Sequence, residues 1–163
     1  MPNYRRRWIA GGCYFFTVTL ADRRSDLLTT EIATLRQAVR KIRLQRPFDI
    51  NAWVVLPDHM HCVWTLPDGD RDYAGRWRAL KTEFTKRLGT ASPWQTRYWE
   101  HTIRDAADDA AHVDYVHFNP VKHGYVTHAA DWPHSTFRRA VAAGMYPADW
   151  AGPAAEPDET GES

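Results

Sequence analysis

Two short stretches of this 163-residue chain hold residue types whose spacing suits metal-assisted and nucleophilic chemistry. The first is His59-Met60-His61, in a run rich in strand-forming residues. Alternate strand residues point to the same face, about 7 Å apart, so the two imidazoles can converge on one divalent cation. Met60, Cys62 and Trp64 then point the other way, and Cys62 reads as a small core residue rather than a ligand. Two readings fit the pair taken alone. An H-x-H can bind metal, or its imidazoles can serve ordinary hydrogen bonds or face solvent.

The second stretch is Asp114-Tyr115-Val116-His117-Phe118-Asn119-Pro120-Val121-Lys122-His123-Gly124. Tyr115 and Asn119 are four apart and share one side of a helix that continues that far. Pro120 biases Asn119 away from helical geometry, so Asn119-Pro120 also reads as the cap and first residue of a new short turn closed by Gly124. A phenol with a reference pKa of about 10 is a poor nucleophile at neutral pH. A nearby cation, metal or Lys, would favour the phenolate. A Tyr packed in the core is the competing use of the residue.

The elements that must position these side chains can be read in order. Gly11-Gly12 opens a strand over Cys13–Leu20, rich in aromatic and β-branched residues. Ile32, Leu35, Val39 and Ile42 recur at helical spacing, with Thr29 or Thr30 as a cap and Pro47 as a stop. Phe48–Leu56 and His59–Leu66 read as strands joined at Pro57-Asp58 in an antiparallel hairpin. Tyr73, Trp77, Leu80, Phe84 and Leu88 mark one face of a second helix, and Trp94–Ile103 contains a short strand. A third helix runs from Asp105 to about Phe118, its early acids Asp105, Asp108 and Asp109 suiting the helix dipole. The order β-α-β-β-α-β, then α, predicts an α+β fold: a ferredoxin-like or RRM-like antiparallel sheet with packed helices. Residues 1–150 are expected to form one domain. Residues 151–163 are an acidic tail, expected to be disordered for want of apolar content.

Composition bounds the class. At 44% hydrophobic and 25% charged, the chain reads as soluble and globular. Two cysteines and no signal-like segment argue against a disulfide-stapled secreted module and for a reducing cytoplasm. No CxxC pair exists for a zinc finger, and no apolar run is long enough to span a membrane. Residues 1–150 hold all 21 Lys and Arg but 16 of the 20 Asp and Glu, which suits a polyanionic partner and is also a charge that solubility alone would explain. The basic arm Arg5-Arg6-Arg7 and the helical cations Arg76, Arg78 and Lys81 are candidate phosphate contacts.

Four linked motifs carry a resemblance over residues 5–150. They are Gly11-Gly12-Cys13-Tyr14-Phe15-Phe16-Thr17-Val18, the run from Ala52 to His61, the run from Trp94 to Asp105, and the run from Asp114 to Gly124. Together they resemble the REP-associated tyrosine transposases, single-tyrosine HUH enzymes related to bacterial insertion sequences. One departure is Trp132-Pro133-His134-Ser135-Thr136-Phe137, where relatives tend to have Trp-Pro-Tyr-Ser-Ser-Phe. The resemblance implies the HUH endonuclease fold, with His59, His61 and Asn119 holding Mg²⁺ or Mn²⁺ and Tyr115 as nucleophile. It implies cleavage and rejoining of single-stranded DNA at REP-type hairpins through a 5′-phosphotyrosine link, with Lys122 near the scissile phosphate. It implies a monomer rather than a dimer, cytoplasmic and nucleoid-associated. A non-catalytic hairpin-DNA binding protein that regulates or organises repeats is the alternative. Hydrolysis by an activated water and an RNA-binding module are weaker ones.

Overall fold

The computed structural model describes residues 12–162, so Arg5, Arg6 and Arg7 lie outside the described residues. Its elements are β1 (Cys13–Thr19), α1 (Leu27–Thr30), α2 (Ile32–Gln45), β2 (Asp49–Val55), β3 (His59–Thr65), α3 (Tyr73–Leu88), β4 (Trp99–Thr102), α4 (Ala106–Lys122), a 3₁₀ turn at Ala129–Asp131 and α5 (Phe137–Ala142). The four strands form one sheet in the order β2-β3-β1-β4. Every pairing is antiparallel. This is the expected α+β arrangement.

Strand alternation divides the interior into two layers. Tyr14, Phe16 and Val18 of β1, Trp53 and Val55 of β2, and Met60, Cys62 and Trp64 of β3 face α2 and α3. There Trp64 stacks on Trp77 at 4.3 Å between centroids. The alternate residues Cys13, Phe15, Ala52, Val54 and Val63 face α4, against Val113, Tyr115 and Val116. Strand β3 therefore gives one layer its apolar side chains and presents His59 and His61 to the other. His61 lies opposite Thr17 of β1 in the sheet register.

Local details differ from the sequence expectations. Neither Thr29 nor Thr30 caps α2. They close the one-turn α1, and Glu31 stands at the α2 N-terminus with no side-chain cap bond. The short strand expected within Trp94–Ile103 is present as Trp99–Thr102, with one isolated bridge between Leu20 and Trp94. Helix α4 continues through Pro120 to Lys122. The proline costs one backbone donor near the helix end, while the next turn still closes through His123 N to Asn119 O at 3.0 Å. Asn119 thus stays helical, one turn from Tyr115.

Arg76 does not face solvent. It is buried, and its guanidinium donates to Asp70, to the carbonyls of Arg46 and Pro47, and to that of Asp72. A cation so fully engaged pins the loop before α3 rather than meeting a phosphate. Arg78 is exposed. Lys81 donates to the Gln95 carbonyl and lies over the Trp94 and Tyr98 rings.

The start of α4 carries a charged network. Asp105 accepts from Asp108 N, and the Asp108 carboxylate accepts from Arg104 N and His101 Nε2. Burial alone would raise the Asp108 carboxyl, but these donors hold it at about 2. The unfolded reference lies near 3.9. Its contribution, about 2 kcal/mol, is complete above about pH 4 and is lost as the pH falls toward 2. Asp108→Asn is expected to destabilise the chain by about that amount at pH 7, with a smaller gap at pH 3, read by urea denaturation. A gap unchanged by pH would assign the effect to packing.

Residues 132–136 add to the sheet edge: Val55 N donates to His134 O and Thr136 N to Trp53 O. Residues 151–162 form no helix or strand. Unlike the free tail expected, they return to the body, with Thr160 O accepting from Thr17 Oγ1. The sequence lacks the apolar residues for a core there, and polar contacts seat the segment instead. Among the described residues, no helix is long and apolar enough to cross a membrane.

Candidate active site

The β3–α4 interface brings together the histidine pair and the tyrosine. The His59 and His61 ring centroids are 4.9 Å apart, and the Tyr115 ring lies 5.2 Å from His61. Phe15 packs beside both His61 and Tyr115 at 5.8 and 6.1 Å. Tyr115 is 2% exposed, His59 4%, and His61 and Asn119 are fully buried. Lys122, two turns beyond Tyr115, donates to the Tyr115 oxygen at 3.2 Å and places its charge 4.7 Å from the ring.

Hydrogen bonds set the imidazole orientations. Asp58 accepts from His59 Nδ1 at 2.8 Å and is itself held by Arg23 at 2.7 Å. A carboxylate only accepts, so Nδ1 carries the proton and Nε2 points into the site. Thr17 Oγ1 donates to the Thr160 carbonyl and therefore accepts from His61 Nδ1 at 2.7 Å. This leaves the His61 Nε2 lone pair facing the same space. Burial lowers the His61 pKa to about 4, so the ring is neutral at physiological pH. Burial also opposes charge on His59, but the Glu162 and Asp58 carboxylates on its two nitrogens outweigh it and raise the pKa.

The donor set fits a divalent cation. Among the described residues, His61 Nε2 and Asn119 Oδ1 are buried without a hydrogen-bond partner. Leaving such atoms unpaired costs about 1–3 kcal/mol each, a cost one shared cation would remove. Imidazole nitrogens with an amide oxygen are ligands that Mg²⁺ or Mn²⁺ accepts when further oxygens complete the shell.

Two participants were given no site role from the sequence. His123, one turn past Asn119, brings its ring 5.3 Å from His59. Its spacing from Asn119 was a usable signal. Glu162 had none, being one of four acids in a low-complexity tail. Its carboxylate meets His123 Nε2 at 2.5 Å, His59 Nε2 at 3.2 Å and Lys122 Nζ at 3.3 Å, and Asn119 Nδ2 donates to it at 3.4 Å. At 3.5 Å from His61 Nε2 it is too distant for a good hydrogen bond. Burial would raise the Glu162 carboxyl, but the His59 and His61 imidazoles beside it hold it at about 2.

An anionic group thus stands among the imidazoles and Lys122. Glu162→Gln is expected to lower, by about tenfold, the Mn²⁺ concentration giving half-maximal activity, because a neutral amide holds Lys122 and the imidazoles less tightly than a carboxylate does. A higher requirement in a metal titration would instead make Glu162 a ligand.

No family model matches the chain. It is 58% identical over 152 residues to the REP-associated tyrosine transposase of Escherichia coli (strain K12), covering 93% of this chain and 92% of that protein. A Haemophilus influenzae (strain ATCC 51907 / DSM 11121 / KW20 / Rd) protein, named provisionally for the same family, is 45% identical over 166 aligned residues, covering 93% of this chain and 94% of the other. A solved REP-associated tyrosine transposase bound to a REP hairpin superposes with a TM-score of 0.90 at 55% identity, covering all of this chain and 98% of that one. With the sheet, the histidine pair and the adjacent tyrosine in one frame, and with identity of this extent along nearly its whole length, the chain belongs to the REP-associated tyrosine transposases.

Proposed function

We propose that this chain is a metal-dependent single-stranded DNA endonuclease and strand transferase acting at REP-type hairpins. Residues 1–150 form its catalytic domain and residues 151–163 an acidic appendage. The observation that carries the reading is the Tyr115 hydroxyl under the Lys122 ammonium, in a ring cluster whose next member is His61. The His59 and His61 Nε2 atoms and the Asn119 side-chain oxygen would hold Mg²⁺ or Mn²⁺, which when bound polarises a phosphate and stabilises its developing charge. Tyr115 Oη forms a bond to phosphorus, and the bond from phosphorus to the 3′ oxygen breaks. The phenol proton departs, and the leaving oxygen takes one up to become a free 3′-hydroxyl. The product is a 5′-phosphotyrosine, which another 3′-hydroxyl can reverse without ATP. Lys122 supports negative charge on the attacking oxygen, and the Phe15 and His61 rings fix its direction.

The hairpin itself is held through phosphates, with the Arg5–Arg7 arm, the half-buried Lys81 and the exposed Arg78 as contacts. Both catalytic elements, β3 and α4, come from one chain, which supports action as a monomer. The proposed setting is the cytoplasm, at the nucleoid where such DNA lies.

The test is incubation of the chain with labelled hairpin oligonucleotide from palindromes near its own gene, with Mn²⁺ or Mg²⁺. The expected result is a protein–DNA band that survives denaturation, together with a free 3′-hydroxyl product. Cleaved DNA without the band would favour an activated water, and binding without cleavage would favour a purely architectural role.

A further inference from the structure

A cavity of about 750 Å³ lies between α2 and the β2 edge, away from the catalytic face. Phe48 and Trp53 contribute aromatic surface to its wall. Arg36, Arg40 and Arg139 stand along its rim. All three are exposed, and Arg36 and Arg40 pair with no acid among the described residues. Two further lining groups, Trp53 Nε1 and His134 Nδ1, are buried and have no hydrogen-bond partner among the described residues. Cationic rim, aromatic wall and unused polar atoms together suit a planar, hydrogen-bonding ligand that carries negative charge.

A line of rings joins this cavity to the catalytic site. His123 lies 5.3 Å from His59, Tyr125 lies 6.5 Å from His123, Trp132 lies 5.2 Å from Tyr125, and His134 lies 5.6 Å from Trp132. His134 is itself part of the cavity wall. The line is held in place before any ligand arrives, because Trp132 Nε1 donates to Val55 O at 3.0 Å and the His134 carbonyl accepts from Val55 N at 2.9 Å. Exposure follows the same path. Among the described residues, the exposed large hydrophobics are Leu44, which lines the cavity, and Tyr125, midway along the line.

We propose that this line is a single-strand track: unpaired nucleotides on one side of the scissile phosphate stack along Tyr125, Trp132 and His134, and a further base enters the cavity with its phosphate on Arg36, Arg40 and Arg139. Bases stack on aromatic side chains with little sequence preference, while arginines follow the backbone. The track rests on the reading of the chain as a single-strand DNA enzyme. It adds to that reading where the flanking strand runs and which residues measure its length.

The test uses the full chain in EDTA, so that no cleavage occurs, and fluorescence anisotropy with three labelled hairpins. One is blunt, one carries a 5′ extension of about six nucleotides, and one carries a 3′ extension of the same length. One extension is expected to tighten binding by about tenfold or more. Tyr125→Ala and the double variant Arg36→Glu/Arg40→Glu are each expected to cancel most of that gain and to leave affinity for the blunt hairpin within about twofold. All three side chains are exposed, so the fold does not depend on them. In the double variant the salt slope for the extended hairpin should also fall by about 1 to 1.5, the change given by taking two cations away from single-strand phosphates. With 4-thiothymidine in the extension, crosslinks are expected within residues 123–136. A gain that survives both variants, no gain from either extension, or crosslinks confined elsewhere would each overturn the track. Those outcomes leave the Tyr115 adduct assay unaffected, and a missing adduct with an intact gain would overturn the catalytic reading alone.

Discussion

A Tyr115→Phe chain is expected to bind hairpin DNA as the parent does and to form no covalent adduct. The substitution removes one oxygen and keeps the ring that packs on Phe15 and His61. The lost bond from Lys122 costs about 1 kcal/mol of stability, too little to unfold a domain. The expected fall in strand cleavage is at least about a thousandfold, because the phenol oxygen that Lys122 contacts is gone. Thr17 Oγ1 is committed between His61 and the Thr160 carbonyl. Cys62 points into the opposite layer, where burial pushes its thiol well above the ordinary range. Denaturing gels of labelled hairpin with parent and variant decide the matter. Undiminished cleavage by the variant would reassign the reaction to water and leave Tyr115 as a core aromatic.

His61→Ala is expected to reduce cleavage by at least about a hundredfold while hairpin affinity changes little. On the proposed function, the asymmetry follows from where each activity resides. Binding is spread over many phosphate contacts. The cation, by contrast, depends on a few donors, and a ligand nitrogen fixed by a second hydrogen bond is not easily replaced. His61 has that geometry, with Nδ1 on Thr17 and Nε2 directed into the site. Alanine also opens a cavity beside Phe15 and Tyr115, so a thermal melt must accompany the assay. His61→Gln, which fills most of the space, should be as inactive but more stable. Loss of hairpin binding along with cleavage in both variants would make His61 a fold residue.

The histidine pair was legible because strand alternation is local. Once His59–Thr65 is a strand, His59 and His61 must share a face and Met60, Cys62 and Trp64 must take the other. Tyr115 and Asn119 were half legible. Their spacing implied one helix side, but Pro120 argued for a break that packing of α4 on the sheet overrides. Arg76 was misplaced because a cation on a helix carries no local sign of whether its loop will fold over it. Its five hydrogen bonds to Asp70, Asp72 and the Arg46 and Pro47 carbonyls decide that, and the acceptors come from segments on both sides of the β2–β3 hairpin.

The amino-acid order alone determined the sheet with its helices and the split of β3 into two faces, Met60, Cys62 and Trp64 on one and the two imidazoles on the other. These rest on periods of 2 and 3.6 residues, which neighbours along the chain enforce. Only the tertiary structure decided that Glu162 returns over more than a hundred residues to the imidazoles, that His123 joins them, and that Tyr125, Trp132 and His134 form a line toward the α2 cavity. Contacts between distant segments depend on how layers stack and where loops close, and no short-range pattern encodes that.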